Sequence, residues 1–98
     1  MSETILQEAQ RLVHGSRQAD YGHPLDNYND IARVWSVILR MEVTAEQAAL
    51  CMVGLKLARE SFRPKRDNRT DMAGYTEVLD MIREERERRA AIENVRRG

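Results

Sequence analysis

The chain has 98 residues, of which 42% are hydrophobic but only 5% aromatic, and its 16 basic and 16 acidic side chains cancel. This length predicts one domain, and a core of Leu, Ile, Val, Met and Ala with only two prolines favours packed helices over an all-β fold. Zero net charge excludes a molecule-wide attraction to nucleic acid or to an anionic membrane.

The single cysteine, Cys51, excludes an intramolecular disulfide and predicts a reducing, cytoplasmic setting. Residues 1–11 lack the basic start and long apolar core of a signal peptide, and no stretch approaches the roughly 20 apolar residues that cross a bilayer. We therefore expect no membrane partner. Cys51 itself lies in an apolar run, which predicts a buried core residue.

Helical spacing of apolar residues predicts a first helix over residues 4–13, with Gly15 as its cap. Residues 16–23 have no apolar period and are predicted to form a loop. Pro24 is well placed to begin a second helix, whose apolar stripe continues to about Met41.

The third helix is predicted from the capping box at Thr44 and Gln47. Every residue from Ala48 to Ala58 is apolar or glycine except Lys56, so this helix needs neighbours on all sides. In a domain of four helices, the other three cannot easily cover every side of the third helix. The pattern therefore predicts a homo-oligomer, a dimer or a tetramer.

A basic loop is predicted over residues 61–70, followed by a fourth helix that one of Asp67, Asn68 or Thr70 caps. Beyond residue 82 the sequence is charged on all sides, which is typical of a solvated continuation of this helix. The sequence thus predicts an all-α, four-helix domain over residues 1–82 and a charged C-terminal extension over residues 83–98.

Between Lys56 and Asp71, six basic residues stand against three acidic ones, which favours an anionic ligand such as a phosphate. The candidate phosphate-binding residues are Lys56, Arg59 and Lys65. The alternative is that the basic residues form a solvated loop, while the Lys56 side chain reaches the surface or pairs with Glu60.

Oxygen ligands also cluster in this segment, where Glu60, Asp67 and Asp71 are candidate ligands for Mg²⁺. Capping and turn chemistry would produce the same composition. On the second helix, Asn27 and Asp30 share a face and are candidates for a base or sugar pocket. Asp20, Tyr21 and His23 in the preceding loop could line the same pocket.

Tyr21-Gly22 is followed by Asn27, Ile31-Ala32 and Trp35, and then by a motif-rich segment from Lys56 to Tyr75. This pattern, which covers about residues 17–82, resembles a family of small bacteriophage and prophage helical proteins. The most specific part is the run Lys56-Leu57-Ala58-Arg59-Glu60, Pro64-Lys65, Asp67-Asn68 and Asp71-Met72-Ala73-Gly74-Tyr75. That family is in turn similar to the MazG-type all-α nucleoside triphosphate pyrophosphatases, helical oligomers that bind Mg²⁺ and nucleotides. The resemblance implies a MazG-like fold, a nucleotide ligand, Mg²⁺ and the cytoplasm of a host cell.

The pyrophosphatases carry an E-E-x-x-E motif on one helix and E-x-x-D on the next. By position these motifs fall on residues 56–60 and 68–71, where only Glu60 and Asp71 match, while Lys56 and Asn68 replace acids. Since hydrolysis of a triphosphate needs metal to neutralise charge and activate water, the resemblance implies nucleotide binding more firmly than catalysis. No catalytic residue is assigned.

Our leading hypothesis is a phage nucleotide-handling domain, with hydrolysis as a pyrophosphatase left open. The alternative is a non-enzymatic helical oligomer that binds a host or phage protein through its C-terminal helix. A third reading is nucleic-acid binding through the basic loop and the charged tail. Zero net charge and the acidic residues interleaved with the tail's arginines disfavour it.

Overall fold

The computed structural model describes residues 2–98 and confirms an all-α fold with a long C-terminal helix. Within this range there is no strand, and the helices are α1 (Ile5–His14), α2 (Ser16–Tyr21), α3 (Pro24–Leu39), α4 (Ala45–Phe62) and α5 (Arg66–Arg97). Four of them correspond to the predicted helices, and the short α2 is an addition. None of the helices between residues 2 and 98 combines the length and the apolar character needed to span a bilayer.

The predicted capping box begins α4. The Thr44 hydroxyl accepts from the Gln47 amide nitrogen at 3.1 Å, and the Gln47 side-chain oxygen accepts from the Thr44 nitrogen at 2.9 Å. Thr4 and Gln7 repeat this arrangement at the start of α1, and this second box is an addition to the predicted features. Each box satisfies two backbone donors that a helix start leaves without partners.

We expect Thr44→Ala to lower the free energy of unfolding by about 1 kcal/mol, because the Gln47 amide loses its acceptor. Thr76→Ala is the matched control, since the exposed Thr76 hydroxyl bonds only the Met72 carbonyl within α5. The Thr76→Ala substitution should change the free energy of unfolding by about 0.5 kcal/mol or less. Urea unfolding followed by circular dichroism measures both, and equal losses would contradict the capping role.

Two predicted loops are shorter than expected. Residues 16–21 form α2 instead of a loop, and the predicted loop over residues 61–70 shrinks to residues 63–65. α2 has no buried residue, so it lacks the apolar period by which a helix is recognised. It ends at Gly22, whose φ of 78° lies in the left-handed region that glycine adopts without strain.

The predicted cap of α5 is also wrong. Lys65 is the N-cap residue and provides no side-chain cap. Instead, Glu60 at the end of α4 accepts from the Lys65 amide nitrogen at 2.8 Å and from the Asn68 side chain at 3.3 Å. A carboxylate from the preceding helix therefore stabilises the start of α5.

The core lies where α5 packs against α1, α3 and α4. Ile82 is fully buried at its centre, among Val13, Leu25, Tyr28, Ala45, Ala48, Ala49, Val78 and Met81. Gly74 permits the close approach of α1, because a Cβ at this position would lie only 3.2 Å from a methyl group of Val13.

α4 buries only one side, through Ala45, Ala48 and Ala49. Its opposite side exposes apolar residues, including Cys51, so the prediction of a buried cysteine is wrong. A run that is apolar on all sides does not indicate which face of the helix meets the core.

The C-terminal extension is partly attached to the body. Arg89 donates to both oxygens of Asp26 at 2.7 and 2.9 Å, and Arg86 donates to Glu46. Beyond Arg89 every residue to Gly98 is exposed. The last turns of α5 therefore project beyond these ion pairs, as the charged sequence predicts.

Candidate functional site

Asp71 joins three helices through two ion pairs. Its Oδ2 lies 2.8 Å from the Lys56 Nζ of α4, and its Oδ1 accepts from the Arg17 Nη2 of α2 at 2.8 Å. The Lys56 and Asp71 side chains are each only 15% exposed, whereas Arg17 is 36% exposed. We call these three residues the Asp71 cluster; its two cations and one anion leave one positive charge.

The charges in the Asp71 cluster stabilise one another. Burial raises the pKa of Asp71, but hydrogen bonds from Lys56 and Arg17 outweigh it and hold that pKa below its ordinary value. Burial likewise lowers the pKa of Arg17, but the hydrogen bond to Asp71 outweighs it, so the net shift is upward. Asp71 and Arg17 are therefore both charged at neutral pH.

An aromatic cavity of about 540 Å³ lies beside this cluster. All five helices contribute to its wall, which combines apolar side chains with the aromatic and polar residues Arg17, Gln18, Tyr21, Asn27, Tyr28, Trp35 and Tyr75. A volume of this size is within the range of small-molecule sites. We call it the aromatic cavity.

Helical spacing explains how these residues share one wall. On α3, Asn27, Ile31 and Trp35 are four residues apart, so they lie along one face of the helix. On α2, Arg17 and Tyr21 have the same spacing. The added helix α2 therefore provides one side of the cavity.

Arg17 belongs to both features, since it lines the aromatic cavity and binds Asp71. The phenols of Tyr28 and Tyr75 are also close enough to Arg17 to contribute to its raised pKa. Burial raises the pKa of Tyr28, so its hydroxyl stays protonated at neutral pH.

The five candidates for a base or sugar pocket differ: Tyr21 lines the aromatic cavity, whereas Asp20 and His23 are not part of its wall. Asn27 lines the aromatic cavity. Asp30 is not part of the wall; its side chain is 74% exposed and accepts from Arg33 one turn along α3 at 3.0 Å.

The three candidate phosphate-binding residues have different surroundings. Lys56 is held in the Asp71 cluster, which is neither the surface position nor the Glu60 pairing that the sequence offered as alternatives. Arg59 and Lys65 are exposed, and neither lines the aromatic cavity.

The three candidate metal ligands do not form one centre. Glu60 is bonded by the Lys65 amide, and also by Arg69 at 2.5 Å and by Asn68; these bonds lower its pKa. Asp67 is exposed, and Asp71 is bonded to two cations. In the part of the chain from residue 2 to 98, no three His, Cys, Asp or Glu side chains are placed to hold a metal ion.

Sequence reasoning missed Arg17 and Gln18, because it treated their segment as a loop, although it offered Tyr21 in the same segment for a base or sugar pocket. It treated Trp35 as a packing residue, and the structure places this side chain both against the core and in the cavity wall. The only signal for Arg17 was that the resemblance to phage proteins begins there.

Comparison with known proteins confirms the bacteriophage relationship. The Gene 55 protein of Mycobacterium phage D29 is 46% identical over 86 residues, which cover 87% of this chain and 57% of that protein. The Gene 55 protein of Mycobacterium phage L5 is 36% identical over 81 residues, covering 81% of this chain and 52% of that protein. The chain thus spans about half the length of these curated relatives.

No solved structure matches the chain. The family model described as a domain of unknown function, DUF6378, matches residues 4–83. This range contains the Asp71 cluster and every residue of the aromatic cavity. The chain therefore belongs to the DUF6378 family.

Proposed function

We propose that the chain binds a nucleotide, with the base in the aromatic cavity and a phosphate at Arg17. The observation that carries this proposal is the position of Arg17, which connects an aromatic wall to a cluster with one excess positive charge. A nucleotide has the same two parts, a flat aromatic base and an anionic group.

The aromatic wall suits a base. Tyr28, Trp35 and Tyr75 offer ring surfaces, and stacking of one base on an aromatic side chain contributes about 1–3 kcal/mol. The amides of Gln18 and Asn27 supply both donors and acceptors for the polar edge of a base. The predicted role of Asn27 in a base or sugar pocket is retained in this proposal.

Arg17 suits a phosphate because its guanidinium carries five N–H donors. One N–H, on Nη2, donates to Asp71. The remaining donors are available to phosphate oxygens. Lys56 contributes indirectly: by balancing Asp71, it leaves the charge of Arg17 uncompensated within the cluster.

We propose binding without a metal-dependent step. The resemblance to MazG-type pyrophosphatases implies Mg²⁺, but Glu60, Asp67 and Asp71 do not converge, and Glu60 and Asp71 are already bonded to protein donors. These residues therefore do not fit a shared metal centre. Magnesium stays a prediction that the same binding experiment tests.

Trp35 provides the measurement, because it is the only tryptophan and lines the cavity. Adenosine, guanosine and their 5′-monophosphates and triphosphates are titrated with and without Mg²⁺, following tryptophan fluorescence. We expect at least one nucleotide to bind more tightly than its nucleoside. Absence of binding by every nucleotide at millimolar concentration would refute the proposal.

Arg17→Gln is expected to weaken binding of the preferred nucleotide about 10- to 100-fold, because a charge-assisted hydrogen bond to phosphate is lost. Affinity for the corresponding nucleoside should change less than about twofold. Arg33→Gln is the matched control, since Arg33 is 77% exposed and pairs with Asp30 outside the cavity. Equal weakening of nucleoside and nucleotide by Arg17→Gln would refute the phosphate contact.

A second candidate function is binding of a host or phage protein by the end of α5. It is favoured by the exposed apolar side chains of Ile92 and Val95, which are 41% and 80% exposed. Deletion of residues 90–98 should then abolish protein capture and leave nucleotide affinity unchanged. Unchanged capture by the shortened chain would refute this function.

A further inference from the structure

The chain is thin for its mass. Its extents are 51 × 39 × 19 Å, and the shortest is close to the thickness of two helices of about 10 Å each. Its radius of gyration is 15.3 Å, compared with about 12.6 Å for a compact domain of this length. A layer two helices thick leaves one side of each helix without a protein neighbour.

The exposed surface is correspondingly large. The chain exposes 7109 Å², whereas a folded monomer of 11.4 kDa exposes about 5,800 Å². The excess of about 1,300 Å² exceeds the roughly 800 Å² that each partner buries in a standard interface. The projecting end of α5 contributes part of this excess, and the apolar side of α4 contributes another part.

Exposed apolar side chains are concentrated around α4. Of the thirteen large hydrophobic residues exposed between residues 2 and 98, nine lie in one segment: Val34, Val37, Ile38, Leu39, Met41, Leu50, Leu55, Leu57 and Phe62. Helical spacing places Leu50, Cys51, Gly54, Leu57 and Ala58 on one side of α4, and all five are exposed. We call these five residues the α4 outer face.

We infer that the α4 outer face packs against the same face of a second copy of this chain. The face has no charged residue, because Lys56 points the other way, toward Asp71. A two-fold arrangement therefore opposes no like charges. Gly54 and Ala58 have little or no side chain, so two α4 helices can approach closely while Leu50 and Leu57 fill the sides.

A second copy fits this face better than a charged partner. Nucleic acid or an acidic protein would be recognised by basic side chains, and the α4 outer face has none. The excess exposed area of about 1,300 Å², to which this face contributes, is more than the roughly 800 Å² that each partner buries in a standard interface. This inference is independent of nucleotide binding, since the α4 outer face contains no residue of the aromatic cavity.

The direct test changes Leu50 and Leu57 to Glu together. These side chains are 55% and 60% exposed in the single chain, so the change should leave the fold intact while placing charges in the dimer interface. We expect the dimer dissociation constant, measured by sedimentation equilibrium, to rise about 100-fold or more. Leu6→Glu is the matched control, because Leu6 is 73% exposed on α1, and it should leave the dimer dissociation constant unchanged.

Cross-linking provides a second measurement that does not depend on the folding of a variant. Cys51 is the only cysteine and lies in the α4 outer face, so a short bis-maleimide should join two copies of the wild-type chain. The control moves the thiol by combining Cys51→Ser with Ser2→Cys, and it should yield much less covalent dimer.

The inference is overturned if the wild-type chain sediments as an 11.4 kDa monomer at about 100 µM, a concentration at which even a weak dimer should form. A dimer that persists unchanged in the double glutamate variant would also overturn it, because another surface would then form the interface. A monomeric double variant with native circular dichroism, together with efficient cross-linking through Cys51, supports it.

Discussion

Replacing Asp71 with alanine is expected to lower the free energy of unfolding by about 3 kcal/mol. The change removes the carboxylate that pairs with Lys56 and Arg17 at 2.8 Å each. Arg17 is partly exposed and can turn to water. Lys56 is only 15% exposed, so its ammonium group would lose its carboxylate partner within the otherwise apolar run over residues 48–58.

Asp67→Ala is the matched control, because Asp67 is an exposed acid one turn before Asp71 on α5. It should change stability by about 0.5 kcal/mol or less. Adding Lys56→Met to Asp71→Ala should restore part of the lost unfolding free energy, because the unpaired amine of Lys56 is then removed. Urea unfolding at pH 7 measures all of these variants. Equal effects of the two Asp replacements would contradict the buried ion pair.

The Asp71 contribution should depend on pH in a defined direction. The ordinary pKa of the aspartate carboxyl is 3.8. In the folded chain burial raises the pKa of Asp71, but the hydrogen bonds from Lys56 and Arg17 lower it by more, so the net shift is downward. A lowered folded pKa means that the stabilisation is present above pH 3.8 and is lost as the pH falls through the folded value. The difference between wild type and Asp71→Ala should therefore shrink as the pH falls below about 3.8 toward the acid limit of folding.

Ile82→Ala is expected to cost about 3–4 kcal/mol of unfolding free energy. Ile82 has no exposed surface and sits where α5 meets the other core residues. Truncation removes three carbon atoms from this contact and leaves a cavity that the surrounding helices fill only in part. The loss should appear as a lower urea midpoint with little change in the slope of the transition.

Ile92→Ala provides the comparison within the same helix. Ile92 lies ten residues further along α5 and is 41% exposed, so its truncation should cost less than about 1 kcal/mol. Both variants are measured at one protein concentration, because self-association would add to apparent stability. Similar losses at the two positions would show that the core does not centre on Ile82.

The main helices were predictable because local patterns specify them. Pro24 and the apolar stripe that follows it predicted α3, and the Thr44–Gln47 capping box predicted the start of α4. α2 was not predictable in this way. It buries no side chain, so its formation leaves no apolar period in the sequence.

The start of α5 shows a different limit. Asp67, Asn68 and Thr70 were reasonable caps by residue type, but the acceptor is Glu60 from the end of α4. Its position depends on how sharply the chain turns at residues 63–65. A capping rule that considers one helix at a time cannot identify an acceptor from the preceding helix.

The sequence by itself determined that the chain is all-α, that its last helix is long, and that Lys56 is a charge on an apolar helix. Only the tertiary structure decided that its partner is Asp71 and that Arg17, 54 residues away from Asp71, completes the cluster. The aromatic cavity likewise exists only between packed helices. Periodicity specifies which side chains share a face of one helix, whereas distances between helices depend on packing angles that no local pattern encodes.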